Sequence, residues 1–139
     1  MDIINIASDL RVFGQAVPTF PEGISEAFDA LVEKTPGGFS RPFYGLSKMN
    51  KNGVNYFATA LETLPGEGKQ LGYEEFTIAK GSYVAVTLKH WRSRLTEIPA
   101  TFGALMGAEG LDPTHWAVEW YKNDTEMVCM MRLLEKVTA

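Results

Sequence analysis

The sequence predicts an α+β fold. Two pseudo-symmetric strand–helix–strand–strand modules form one antiparallel sheet, with the helices packed against it. The first observation behind this is an internal duplication. Shifting the chain by 74 positions (4 to 78) lays Ile4 on Ile78, Val12 on Val86, Ile24 on Ile98 and Phe28 on Phe102. Ala30, Leu31, Lys48 and Val54 also fall on identical residues, at Ala104, Leu105, Lys122 and Val128. The second is the placement of these matches. Ile24, Phe28, Leu31 and Val32 have the i, i+4, i+7, i+8 spacing of one buried helical face, and Ile98, Phe102, Leu105 and Met106 repeat it. The third is the Asn-Gly pair at Asn52-Gly53, a strong hairpin tip between two strand-like runs.

In the first module, a strand over 10–17 is closed by Pro18 and Pro21. A helix over 22–34 follows, with acids early and Lys34 late, as the helix dipole favours. Pro36-Gly37-Gly38 ends it. Strands over 42–49 and 54–64 turn at Asn50-Lys51-Asn52-Gly53, and residues 65–69 read as a polar, flexible linker. In the second module, a strand over 76–88, bulged at Lys80-Gly81, leads to a connection carrying His90 and Trp91. A helix over 95–108 tolerates Pro99 only in its first turn and stops at Gly110. Strands over 116–122 and 127–137 join through Asn123-Asp124. Residues 1–139 thus read as a single domain, with repeats of about 4–64 and 71–137, long enough for a real core. Repeats of this kind leave a central groove where they meet, a natural ligand site.

Composition narrows the function classes. With 45 % hydrophobic and 22 % charged residues, the chain has the make-up of an ordinary globular domain. A net charge of −4 and a pI near 5.2 argue against direct nucleic-acid binding, because no basic patch is available to displace counterions. The N-terminus lacks a basic, then apolar, secretory pattern, and no apolar run approaches a membrane span. The lone Cys129 has no internal disulfide partner, which fits a reducing compartment, and a cytoplasmic location is expected. Its plain role is a small buried hydrophobe.

Ala117-Val118-Glu119-Trp120-Tyr121 places one carboxylate in an apolar, aromatic strand. Alternation puts Ala117, Glu119 and Tyr121 on one face and Trp116, Val118 and Trp120 on the other. Burying a carboxylate is costly unless it is paired, hydrogen-bonded or neutralised. Either Glu119 faces water at an edge or pairs with a remote Arg, or a cationic ligand supplies the charge with nearby rings in support. Under the shift of 74, Gly45 is the counterpart of Glu119 and Ser47 of Tyr121. The first module lacks bulk where the second carries an acid and an aromatic. Gly45 marks either space opposite the carboxylate or a bulge or close packing.

These passages resemble the GyrI-like effector-binding domain, found alone and as the C-terminal half of AraC-type and MerR-type regulators. Ile78-Ala79-Lys80-Gly81-Ser82-Tyr83-Val84-Ala85-Val86 is similar to a strand of that family. Residues 98–106 match its second helix, and 117–121 its E-x-Y strand. Tyr44-Gly45-Leu46 and Asn55-Tyr56-Phe57-Ala58 match its first-half strands more loosely, and Trp91 stands where the family usually has Gly. The resemblance implies a groove for hydrophobic, cationic small molecules. Glu119 is then the charge partner, and Tyr121, Trp91, Tyr44 and Tyr56 are candidate aromatic walls. It also implies similarity to the stand-alone cationic-drug-binding proteins of bacterial integron cassettes. Regulators place a helix-turn-helix domain before this module. None is expected in these residues, so direct transcription control and direct nucleic-acid binding are not expected, and any DNA-binding partner protein is unknown.

Other chemistry is sparse. His90 and His115 are isolated from Cys and carboxylates, so neither a metal nor another cofactor is expected. No Ser or Cys accompanies them for nucleophilic catalysis, and no phosphate loop is present. Met127, Met130 and Met131 read as core. The expectation is a binding protein rather than an enzyme. Two rivals stand beside it: a protein-binding inhibitor of the gyrase-inhibitor type, and a hydrolase of strained electrophiles using the same Glu119.

Overall fold

A computed structural model describes residues 1–19, 22–50 and 53–135. The strands are β1 (Asp2–Ile6), β2 (Leu10–Ala16), β3 (Phe43–Asn50), β4 (Gly53–Leu61), β5 (Glu74–Ile78), β6 (Gly81–Lys89), β7 (Ala117–Tyr121) and β8 (Glu126–Arg132). The helices are α1 (Ile24–Lys34), α2 (Glu67–Gln70) and α3 (Glu97–Leu105). All eight strands form one curled antiparallel sheet in the order β1-β6-β8-β7-β3-β4-β2-β5, and the helices pack against it. No helix among the described residues is long and apolar enough to cross a membrane.

The strand order reads the same from both ends once the modules are exchanged. β3 and β7 meet at the centre, and Gly45 pairs with Glu119 there. These are the same two residues that the shift of 74 exchanges, so the pseudo-twofold axis passes through their rung. The shift is not uniform. Phe43 pairs with Ala60 while Ala117 pairs with Met131, so β4 maps onto β8 at a shift of 71 (60 to 131). Tyr56 is therefore equivalent to Met127 (56 to 127). The β7–β8 hairpin is three residues shorter beyond equivalent rungs, 121 to 127 against 47 to 56. Asn123 Oδ1 holds its turn by accepting from the backbone N–H groups of Thr125 and Glu126.

The expected bulged strand over 76–88 is two strands with different neighbours. β5 pairs with β2 at one edge, and β6 pairs with β1 and β8 near the other. The chain crosses between them at Ala79-Lys80. Arg132 fixes the crossing: its Nε and Nη2 donate to the Lys80 carbonyl at 3.0 and 2.9 Å, and its Nη1 reaches Asp112 at 2.9 Å. Gly81, at φ 134°, adopts a backbone conformation that a side chain would strain. β1 is a further strand, beyond the start at residue 10 read from sequence. The Lys51-Asn52 part of the first hairpin turn, Pro21 and the end of the strand expected over 127–137 lie outside the described residues.

α1 buries Ala27 and Leu31, with Ile24, Phe28 and Val32 packed around them. Burying Leu31 completely is worth about 1.5–3 kcal/mol. α3 covers Val84, Leu88, Met127 and Cys129 through Leu105, Ile98 and Phe102. The opposite face of the curled sheet holds a second core of Val12, Tyr44, Leu46, Tyr83, Val118 and Met130. The segment expected to be a flexible linker is instead anchored. Glu67 of α2 is buried and takes a bidentate pair from Arg41 at 2.7 and 2.9 Å. Arg41 also donates to the carbonyls of Leu61 and Pro36. Its guanidinium holds the Glu67 carboxyl down at about 2.

Candidate functional site

α1 packs across β4, and α3 across β8 and β6. The central strands β3 and β7 lie between the helices, so their helix-side residues form the floor of a groove. Strand alternation sends Gly45 and Ser47 of β3, with Glu119 and Tyr121 of β7, to that floor. From β4, Tyr56 pairs with Ser47 and reaches across Gly45. Its hydroxyl donates to Glu119 Oε1 at 2.5 Å, and the Tyr121 hydroxyl donates to the same oxygen at 2.9 Å. A Cβ at position 45 would collide with both the Tyr56 hydroxyl and Glu119 Oε1. Gly45 is therefore a close-packing glycine. The space opposite the carboxylate is filled by the Tyr56 phenol.

Glu119 is half-buried, with the phenols of Tyr56 and Tyr121 against its carboxylate. Burial pushes its carboxyl above the ordinary 4.5, and the hydrogen bonds from Tyr56 and Tyr121 pull the other way. Burial, followed by the adjacent negative charge of Glu119, raises both phenols well above their usual range. Both therefore stay protonated as donors. Among the described residues, no ion pair involves Glu119. Its neighbour across the β7–β8 ladder is Cys129, fully buried, with its thiol pushed up to about 12 by burial. That thiol is an inert packing group.

Aromatic rings stand over this floor. Phe28 of α1 meets Tyr121 edge-on at 5.3 Å, and Trp91 meets the same ring at 5.1 Å. Trp91 follows β6 in a short 3-10 turn (Trp91–Ser93), entered through His90 in the left-handed region at φ 56°. Its indole N–H donates to the Asn123 carbonyl at 3.0 Å, and the Arg92 guanidinium lies 4.5 Å over its ring. The ring is thus tied to the β7–β8 turn and partly exposed.

The structure gathers Glu119, Tyr121, Tyr56 and Trp91. It does not bring Tyr44 to them. Tyr44 neighbours Gly45 along β3 and so points to the opposite face, where it stacks on Trp120 at 6.4 Å. Phe28 is the wall that the sequence reading assigned only to the core. Its position on the groove side of α1, paired by the duplication with Phe102, was the available signal. Among the described residues, no group of three His, Cys, Asp or Glu comes together to hold a metal.

No protein-family model matches this sequence, and no curated protein matches it. Solved structures do. An integron cassette protein from the mobile metagenome of Vibrio cholerae superposes with a TM-score of 0.70 at 14 % identity, covering 95 % of this chain and 94 % of that one. A proposed transcription regulation protein from Staphylococcus aureus MU50 gives 0.59 at 12 % identity, covering 96 % and 97 %. SAV2435, solved bound to tetraphenylphosphonium, gives 0.60 at 11 % identity, covering 95 % and 92 %. At these identities the likeness establishes a shared fold.

Proposed function

We propose that this chain is a GyrI-like ligand-binding domain that takes hydrophobic organic cations in the groove between α1 and α3, with Glu119 as their charge partner. One observation carries the reading. A carboxylate sits on a crowded, aromatic floor at the meeting of the two modules, held by two neutral phenols and by no cation among the described residues. Phenol donors make the anion tolerable; a positive charge would satisfy it. Faces of Trp91, Tyr121 and Phe28 add cation–π attraction of about 0.5–2 kcal/mol each where they are desolvated. A fold shared with a protein solved bound to tetraphenylphosphonium supports the ligand class.

The test compares tetraphenylphosphonium with neutral triphenylphosphine oxide by calorimetric titration of the wild type and of Glu119→Gln. Gln keeps an acceptor for both phenols, so the fold is retained while the charge is lost. Removing one partner of a desolvated charge pair costs about 2–5 kcal/mol, a loss of roughly 30-fold or more. The cation should show that loss and the neutral oxide should not. Equal losses for both ligands would remove the charge role.

A further inference from the structure

Both phenols of the groove floor donate to the same carboxylate oxygen. Tyr56 and Tyr121 reach Glu119 Oε1 at 2.5 and 2.9 Å. An ionised carboxylate has about four lone-pair sites, two on each oxygen, so Oε1 is full. Glu119 Oε2 accepts no hydrogen bond among the described residues, and it is not one of the partnerless oxygens sealed from solvent. It is the acceptor that the floor leaves open. The two flanks of the carboxylate also differ. Along β7, Tyr121 stands on one side of Glu119 and Ala117 on the other, with Ser47 of β3 opposite Ala117. Ala117 and Ser47 are small and half-buried, so solvent reaches the floor on that flank. The Ser47 hydroxyl has no hydrogen-bond partner among the described residues. It shares the groove face with Glu119, one diagonal step across the β3–β7 ladder, about 7–8 Å between backbones. Charge-assisted bonds of about 2.7–2.9 Å let one cationic nitrogen between them reach both oxygens. Tyr121, with Trp91 and Phe28 against its ring, lies about 7 Å along the strand on the opposite flank.

We propose that, among hydrophobic cations, this groove selects primary ammonium ions: the ammonium donates one N–H to Glu119 Oε2 and another to Ser47 Oγ, and its aromatic body lies toward Tyr121 and Trp91. The inference rests on the cation reading above and narrows its chemistry. A guanidinium pairs best through two parallel N–H bonds, one to each carboxylate oxygen, and here one of those oxygens is taken. By filling Oε1, the two phenols turn the fork away. A quaternary ammonium carries the charge and has no N–H to give, so both acceptors go unused.

Naphthylmethylammonium is the probe, titrated calorimetrically at neutral pH beside its guanidinium and trimethylammonium analogues and the neutral naphthylmethanol. In the wild type the ammonium should bind roughly tenfold tighter than the trimethylammonium, the worth of a hydrogen bond to a charged group, and roughly threefold tighter than the guanidinium. Ser47→Ala should weaken the ammonium roughly fivefold and leave the trimethylammonium unchanged. Tyr121→Phe keeps the ring and empties one site on Oε1, so the guanidinium-to-ammonium affinity ratio should rise roughly fivefold. The wild-type comparison needs no variant to fold, and the ratios are read within one protein. A guanidinium or trimethylammonium that matches the ammonium in the wild type overturns the inference and leaves the cation reading intact. So does an unchanged ammonium affinity in Ser47→Ala, or an unchanged ratio in Tyr121→Phe. Cations that bind no better than the alcohol would remove the cation reading itself, and this inference with it.

Discussion

Adding one methyl group at Gly45 tests the packing of the groove floor. The backbone at this position does not lie in the left-handed region, so alanine is conformationally allowed. With nothing else in the way, Gly45→Ala would stabilise the protein by about 0.4–1 kcal/mol through the unfolded chain. The side chains predict the opposite sign. The new Cβ would overlap the Tyr56 hydroxyl and the ring carbon that bears it, as well as Glu119 Oε1. Glu119 has a flexible end that can yield. Tyr56 is a rigid ring, 2 % exposed and wedged among Val17, Ala27 and Ala58. Overpacking costs about 1–3 kcal/mol, and losing a hydrogen bond to a charged acceptor about 1.5–3 kcal/mol. A net loss of about 2–5 kcal/mol follows, read as a fall of roughly 6–20 °C in Tm for a domain of this size. Urea and thermal unfolding of Gly45→Ala, Tyr56→Phe and the double variant measure it. Because Tyr56→Phe removes the hydroxyl that the new methyl strikes, the double variant should be at least about 1 kcal/mol more stable than the sum of the singles. Additive losses, or a Gly45→Ala protein as stable as the wild type, would refute the close-packing argument.

Two titrations have opposite signs. Glu119 has a raised folded-state pKa, so the native chain holds its proton more tightly than the unfolded chain. Stability should fall as pH rises from about 4.5 through that raised value, and Glu119→Gln should flatten the slope. Cation affinity should rise over the same window with release of a proton, seen by titrating tetraphenylphosphonium in buffers of different ionisation enthalpy; a pH-independent affinity would count against it. Glu67 behaves in reverse. Its pKa is lowered from 4.5 to about 2, so its contribution, on the order of 3 kcal/mol, is present above pH 4.5 and lost as pH falls toward 2. Acid unfolding of Glu67→Gln should lack that component. Arg41→Met, which leaves Glu67 buried and unpaired, should cost about 3–5 kcal/mol at neutral pH by urea unfolding.

Much of the fold was legible because the duplication is strongest where packing is strictest, in the two helix faces and the central strands. The parity of 117–121 placed Glu119 and Tyr121 on one face, as found. The same parity contained the answer for Tyr44, which the shift lays on Val118 rather than Glu119. Its aromatic character outweighed its register. The break at Ala79-Lys80 read as a bulge because a crossing and a bulge share the same local signal, a glycine within β-prone residues. The uniform shift missed the offset in β4 and β8 because a shorter hairpin moves every later rung without altering the hydrophobic pattern. Arg41 and Glu67 lie far apart in sequence, and no local rule links them. Their pairing emerges only when the segment leading into β3 meets α2.

The axis through the Gly45–Glu119 rung limits what a duplicated chain can place there. If the halves were identical and separate, as in a symmetric dimer, one residue type would occupy both sides and face its own copy. Two acids at that spacing would compete for a single proton, and two glycines would leave the position chemically mute. Joining the halves in one polypeptide frees the two sides to differ. One gave up its side chain so that a phenol from the adjoining strand could lean across, and the other kept a lone negative charge. A site on a symmetry axis thereby acquires a polarity that the architecture alone would forbid.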